Sequence, residues 1–65
     1  MTQINQYDKV RLKTGLVGRI MEVFGMGELF IVDVELAPGK YDTIDVKPSD
    51  IKSKFVEYEE PVENL

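Results

Sequence analysis

The acid–base groups this chain can offer are carboxylates, because its 65 residues include no His and no Cys. Those two residue types supply most general bases, nucleophiles and soft-metal ligands, so their absence removes the usual tools of catalysis near neutral pH. Asp42 and Asp45 flank Thr43-Ile44. Residues three apart on a strand point to opposite faces, so these two do not converge as a catalytic pair. A carboxylate site assembled from Asp33, Asp42 and Asp45 across neighbouring strands, acting directly or through a hard divalent cation, competes with plain solvated charge. The Asp-x-Asp-x-Asp-Gly spacing of a calcium loop is absent. Neither Gly25-Met26-Gly27 nor Gly15-Leu16-Val17-Gly18 has the Gly-Lys-Ser/Thr ending of a phosphate loop. The expectation is a non-enzymatic chain with no catalytic residue, no metal site, no cofactor and no small-molecule substrate.

Binding is the remaining class. Lys9, Arg11 and Lys13 recur at a spacing of two, which on a strand places them on one face, and Arg19 on the next strand extends the stripe. Such a stripe suits phosphates, although outer strand faces are often basic simply to discourage edge pairing. A second set, Met21, Phe24, Met26, Leu29 and Ile31, is apolar where alternation points away from the core. It suits a protein partner or a homodimer, while in a strongly bent strand Phe24 or Leu29 could instead complete the core. Tyr7, Tyr41 and Tyr58 could form an aromatic shelf for an extended peptide, or stand as scattered rim residues.

The charge is unevenly divided. Of 8 Lys/Arg and 12 Asp/Glu, the acidic excess of four lies in Glu57, Glu59, Glu60 and Glu63, so residues 1–56 are neutral as a unit. With 43% hydrophobic residues the composition is ordinary for a globular domain, and the length admits one core. No apolar run approaches a membrane span, and Met1–Gln6 is polar and uncharged, unlike a signal peptide. A cytoplasmic location follows as the default. The division expected is an N-terminal extension over 1–6, a domain over 7–58 and a flexible acidic tail over 59–65.

The elements that must position these residues are strands. Tyr7 to Leu12 alternates, with Val10 and Leu12 facing inward. Leu16 to Phe24 carries Val17, Ile20 and Val23 at a spacing of three, which fits neither a flat strand nor, beside three Gly, a helix. A strand with a bulge or bend near Gly18 resolves it. Gly25-Met26-Gly27-Glu28 reverses the chain into Leu29–Glu35, whose Phe30, Val32 and Val34 belong inside. Leu36 to Lys40 is a second turn, and Tyr41–Val46 is a strand offering Ile44 and Val46 to the core. Pro48-Ser49-Asp50 suits one 3-10 turn, before a short closing strand over Lys52–Tyr58. Five short strands at this length favour a barrel, since closure removes exposed edges.

The run Asp8-Lys9-Val10-Arg11-Leu12-Lys13-Thr14-Gly15-Leu16-Val17-Gly18-Arg19-Ile20 resembles the KOW-type motif of SH3-like barrels. In that motif an acidic residue and an apolar strand lead through a Gly-containing turn to a second Gly and an aliphatic residue. Val46-Lys47-Pro48-Ser49-Asp50-Ile51 likewise resembles the 3-10 turn before the last strand of such barrels. The resemblance covers about half of the chain. It implies an all-β, five-stranded SH3-like barrel with a 3-10 turn before the last strand, nearest to small bacterial or phage-borne members. KOW domains contact RNA or protein partners in ribosomal and transcription-elongation proteins, whereas this chain is acidic overall and poor in Arg. The leading expectation is therefore a protein-binding module acting through the apolar set. Nucleic-acid or ribonucleoprotein binding through Lys9, Arg11, Lys13 and Arg19 is the alternative.

Overall fold

In a computed structural model that describes residues 3–55, the chain is all-β, with five antiparallel strands and one 3-10 turn. The strands are β1 (Lys9–Leu12), β2 (Val17–Phe24), β3 (Leu29–Ala37), β4 (Lys40–Val46) and β5 (Ile51–Lys54), with the 3-10 turn over Pro48–Asp50. They form one sheet in the order β4-β3-β2-β1-β5, curled into a half-barrel. Three successive hairpins run from β1 to β4. The chain then crosses through the 3-10 turn to lay β5 along the other side of β1.

Alternation settles which side chains meet. Val10, Gly18, Val34 and Asp42 form one row across the sheet, Ile20, Val32 and Ile44 a second, and Val23, Phe30 and Val46 a third. The inward members of these rows, with Leu12, are the core, of which Val10, Ile20, Val32 and Val34 are fully buried. Ile4 and Leu16 pack around that core from outside the strands, and Ile51 from the start of β5. Each fully buried aliphatic chain contributes about 1.5–3 kcal/mol, so a core this small leaves little margin for a misfit.

The curl has identifiable causes. In three places one residue is skipped by the ladder: Met21 between Ile20 and Glu22, Leu36 between Glu35 and Ala37, and Lys52 between Ile51 and Ser53. An extra residue bends its strand and increases the local twist. The bulge expected near Gly18 therefore sits at Met21 instead, and it explains why Ile20 and Val23 both face inward at a spacing of three. Gly18 is in regular register with Val10 and Val34. A Cβ there would lie 2.6 Å from the Asp33 carbonyl oxygen and 2.7 Å from a Val32 methyl, so glycine is needed for close approach of β2 to β3.

Other boundaries shift for local reasons. The first strand begins at Lys9, not Tyr7, because Tyr7 takes a left-handed conformation (φ 73°) while its amide donates to the Ile20 carbonyl at 2.7 Å. Leu36 and Ala37 belong to β3, leaving Pro38-Gly39 as the reversal. The last strand spans Ile51–Lys54, one residue earlier than expected, and the Phe55 amide adds a bond to the Lys9 carbonyl at 2.9 Å. Its expected continuation to Tyr58 and the acidic tail lie outside the described residues. The 3-10 turn stands where Pro48-Ser49-Asp50 implies, with the Asp50 carboxylate accepting the Lys47 amide at 3.0 Å.

Closure of the barrel is partial. The strands β4 and β5 stand at opposite ends of the order and do not pair. Among the described residues no strand neighbours the outer edge of β4, and polarity guards it. Lys40, Asp42, Thr43 and Asp45 are exposed, and the Asp42 side chain accepts the Thr43 amide at 3.0 Å.

Candidate interaction surface

The convex side of the sheet gathers most of the residues singled out from the sequence. Because Val10 and Leu12 face the core, Lys9 and Arg11 face outward, and the registers carry that face across the sheet. One outer row reads Lys9, Arg19, Asp33, Thr43, and the next reads Arg11, Val17, Glu35, Tyr41. Toward the β2–β3 turn follow Glu22, Ile31 and Asp45, then Phe24 beside Leu29, with the bulged Met21 next to them.

Apolar side chains concentrate at that end. Phe24 is 47% exposed and Met21 37%, whereas Leu29 and Ile31 are half-buried between their neighbours. The sheet thus brings Met21, Phe24, Leu29 and Ile31 together. Met26 is placed elsewhere. It stands 99% exposed at the hairpin tip, on the rim of an open depression of about 1030 Å³ between the hairpin, the N-terminal segment and β5. Ile4, Val23, Phe30 and Ile51 line that mouth, so Met26 belongs to the concave side.

The basic residues are split by their partners. Lys9 Nζ and the Arg11 guanidinium lie 5.2 and 5.4 Å from the centre of the Phe55 ring, and both side chains are half-buried. A ring shared by two cations holds their long stems in place through its quadrupole. Phe55 belongs to the site and was not singled out from the sequence. Its signal was positional: two residues after Ser53, which registers with Arg11, it falls on the same outward face. Arg19 donates to the Tyr7 carbonyl at 2.8 Å and neighbours Asp33 across the ladder, so it is occupied within the chain. Lys13 is exposed past the end of β1, where its amide donates to the Asp50 carbonyl at 2.9 Å.

The acidic residues take the other half of the same face. Asp33 and Asp45 point outward, while Asp42 shares the side of Val34, so the three do not converge. Among the described residues no group of three or more potential ligands could hold a metal ion. Asp33 instead accepts the Thr43 hydroxyl at 2.8 Å. A shallow outer depression of about 310 Å³ lies between Lys9, Arg19, Asp33, Glu35 and Tyr41, at the seam of the two charge types. Tyr7 and Tyr41 are exposed near opposite sides of the face, Tyr7 ahead of β1 and Tyr41 on β4 level with Arg11, and do not make one shelf. Tyr58 lies outside the described residues.

Asp8, the acidic residue just ahead of β1, fastens the domain. Its carboxylate accepts the Asn5 amide at 2.7 Å and pairs with Lys54 Nζ at 3.0 Å, and Lys54 also donates to the Gln3 carbonyl at 3.1 Å. Burial pushes the Asp8 carboxyl up, but the Asn5 amide and the Lys54 ammonium, with Arg19 beyond, outweigh it and hold it below its ordinary value.

Among the described residues no helix is long and apolar enough to cross a membrane. The chain matches no protein-family model, no curated protein and no solved structure.

Proposed function

We propose that this chain is a small non-enzymatic binding module of the cytoplasm that engages protein through the outer face of its sheet. The observation behind the reading is the contiguous apolar end of that face, where Phe24 pairs with Leu29 and Met21 lies beside Ile31, without a covering element among the described residues. Partly exposed aromatic, Met and aliphatic side chains grouped in this way are what protein interfaces use as anchors. The kinship we favour is with KOW-type SH3-like barrels. It is supported by the strand order β4-β3-β2-β1-β5, by the 3-10 turn before the last strand, and by the Asp8 to Ile20 run.

Affinity capture from native lysate, with and without nuclease, tests this reading. The wild-type chain should retain a nuclease-resistant protein that Ile31→Lys loses while its circular dichroism stays intact. An unchanged capture by the folded Ile31→Lys chain would refute it.

One observation favours a second reading, nucleic-acid contact: the Phe55 ring set between Lys9 and Arg11 joins a stacking surface to two cations. Asp33 and Glu35, two strands away on the same face, oppose phosphate there. Salt-dependent RNA or DNA binding abolished by Arg11→Glu with Arg19→Glu would decide for it.

A further inference from the structure

The outer face has opposite charges on its two sides, and their registers match. On the β1 side stand Lys9 and Arg11, and on the β3 side Asp33 and Glu35, each pair level with the other across β2. We infer that the protein bound on this face is a second copy of the same chain, in a two-fold dimer whose axis lies in the interface along β2. The inference rests on the protein-binding reading above and names its partner.

The geometry follows from symmetry alone. A two-fold axis in the interface plane and parallel to β2 preserves position along the strands and exchanges the two sides of β2. Lys9 of one copy then faces Asp33 of the other, and Arg11 faces Glu35, with every such contact made twice. On the axis itself Phe24 and Met21 meet their own counterparts, so the apolar end covers itself. Arg19 and Glu22 of β2 also meet their own counterparts across the axis; the bond to the Tyr7 carbonyl draws Arg19 back into its own chain, and the two Glu22 carboxylates add to the weakness of the dimer. Two aligned sheets cross at about 30°, a small enough angle to keep these rows within reach of one another. Lys9 and Arg11 are already ordered against Phe55, which lowers the entropy lost when they dock.

Area sets the strength. Four strand spacings by three double-residue steps give a face of about 19 by 20 Å, or roughly 400 Å² in projection. That is about half of what each partner of a stable complex contributes, so the dimer is weak, with a Kd on the order of 0.1 mM. The four symmetry-paired contacts, at about 0.5 kcal/mol each, correspond to about 30-fold in affinity.

Sedimentation equilibrium of the full chain at low salt, up to about 1 mM, tests the inference through charge reversal on each side. The wild type should pass from its 7.4 kDa monomer toward twice that mass as concentration rises. Raised salt should weaken the association. The variants Lys9→Glu/Arg11→Glu and Asp33→Lys/Glu35→Lys, each checked for native circular dichroism, should self-associate at least about 30-fold more weakly. An equimolar mixture of the two should associate again, since each then presents the charges the other lost. A wild type that stays monomeric throughout, folded variants that dimerise as well as wild type, or a mixture that stays monomeric would overturn the dimer. A heterologous protein captured in an Ile31-dependent manner would still support the binding module, so the two conclusions fail separately.

Discussion

Replacing Gly18 by alanine is the sharpest perturbation of this fold. A Cβ at that position meets the Asp33 carbonyl oxygen at 2.6 Å, a Val32 methyl at 2.7 Å and a Val34 methyl at 2.9 Å, where ordinary contact begins at 3.4 Å. The nearest obstacle is backbone, so relief requires β3 to withdraw from β2 by 3.4 − 2.6 = 0.8 Å at that point. Such a shift stretches a ladder bond of ordinary length past useful range. Overpacking of this kind costs about 1–3 kcal/mol, and one or two weakened ladder bonds add about 1 kcal/mol each. The lost flexibility of the unfolded chain returns about 0.4–1 kcal/mol, for a net loss near 2–3 kcal/mol. A domain of this size has a total stability of roughly 3–10 kcal/mol, and each kcal/mol moves the midpoint by about 4–8 °C. Thermal unfolding followed by circular dichroism should therefore show Gly18→Ala melting about 10–20 °C below wild type. Gly39→Ala is the control, because its φ of 80° imposes conformational strain but nothing lies within 4 Å of its Cβ. Its loss should be about 1 kcal/mol. A Gly18→Ala chain melting within about 3 °C of wild type, or above Gly39→Ala, would refute the close-approach account.

Two further predictions concern the polar fastenings. The Asp8 carboxyl is held below its ordinary value in the folded chain, so its stabilising effect is present above the unfolded pKa and is lost as pH falls through the lowered folded value. Asp8→Asn should accordingly cost about 1 kcal/mol at neutral pH, and the urea-unfolding curves of variant and wild type should converge as the pH falls through the lowered folded value. An undiminished difference in acid would assign the effect to something other than the Lys54 pair. Asp50→Ala removes the acceptor of the Lys47 amide and should cost about 0.5–1 kcal/mol by the same measurement.

Much of the architecture is legible in the residues themselves, because period-2 alternation is a local signal. The inward faces of β1, β3 and β4 follow from Val10 and Leu12, from Phe30, Val32 and Val34, and from Val46, and the glycines around Met26 mark the β2–β3 hairpin. The bulges are harder to place. A three-residue spacing such as Ile20 to Val23 reports that a residue is extra without saying which one, and the nearby Gly18 draws attention away from Met21. The need for glycine at Gly18 comes from β3, a strand that local sequence around Gly18 does not mention.

Site composition was legible in the same partial way. The stripe of Lys9 and Arg11 and the apolar set were visible from spacing, but pairing registers decide which charges face each other and that Met26 belongs to the opposite side. The latch between Asp8 and Lys54 joins positions 46 residues apart (54 − 8), and no spacing rule links them.

That latch also bears on how the chain is threaded through its fold. The Gln3 carbonyl accepts Lys54 Nζ, and Phe55 bonds Lys9, so the two ends of the described chain lie side by side. A short linker between them, with new ends opened at the exposed Pro38-Gly39 reversal, would leave every strand pair in place. Strand β5 would then meet β1 as an ordinary neighbour in sequence, and the longest loop to be closed during folding would become one of the shortest. The chain path through this open sheet is in this sense a ring that could be cut at the β3–β4 turn as well as where it is cut now.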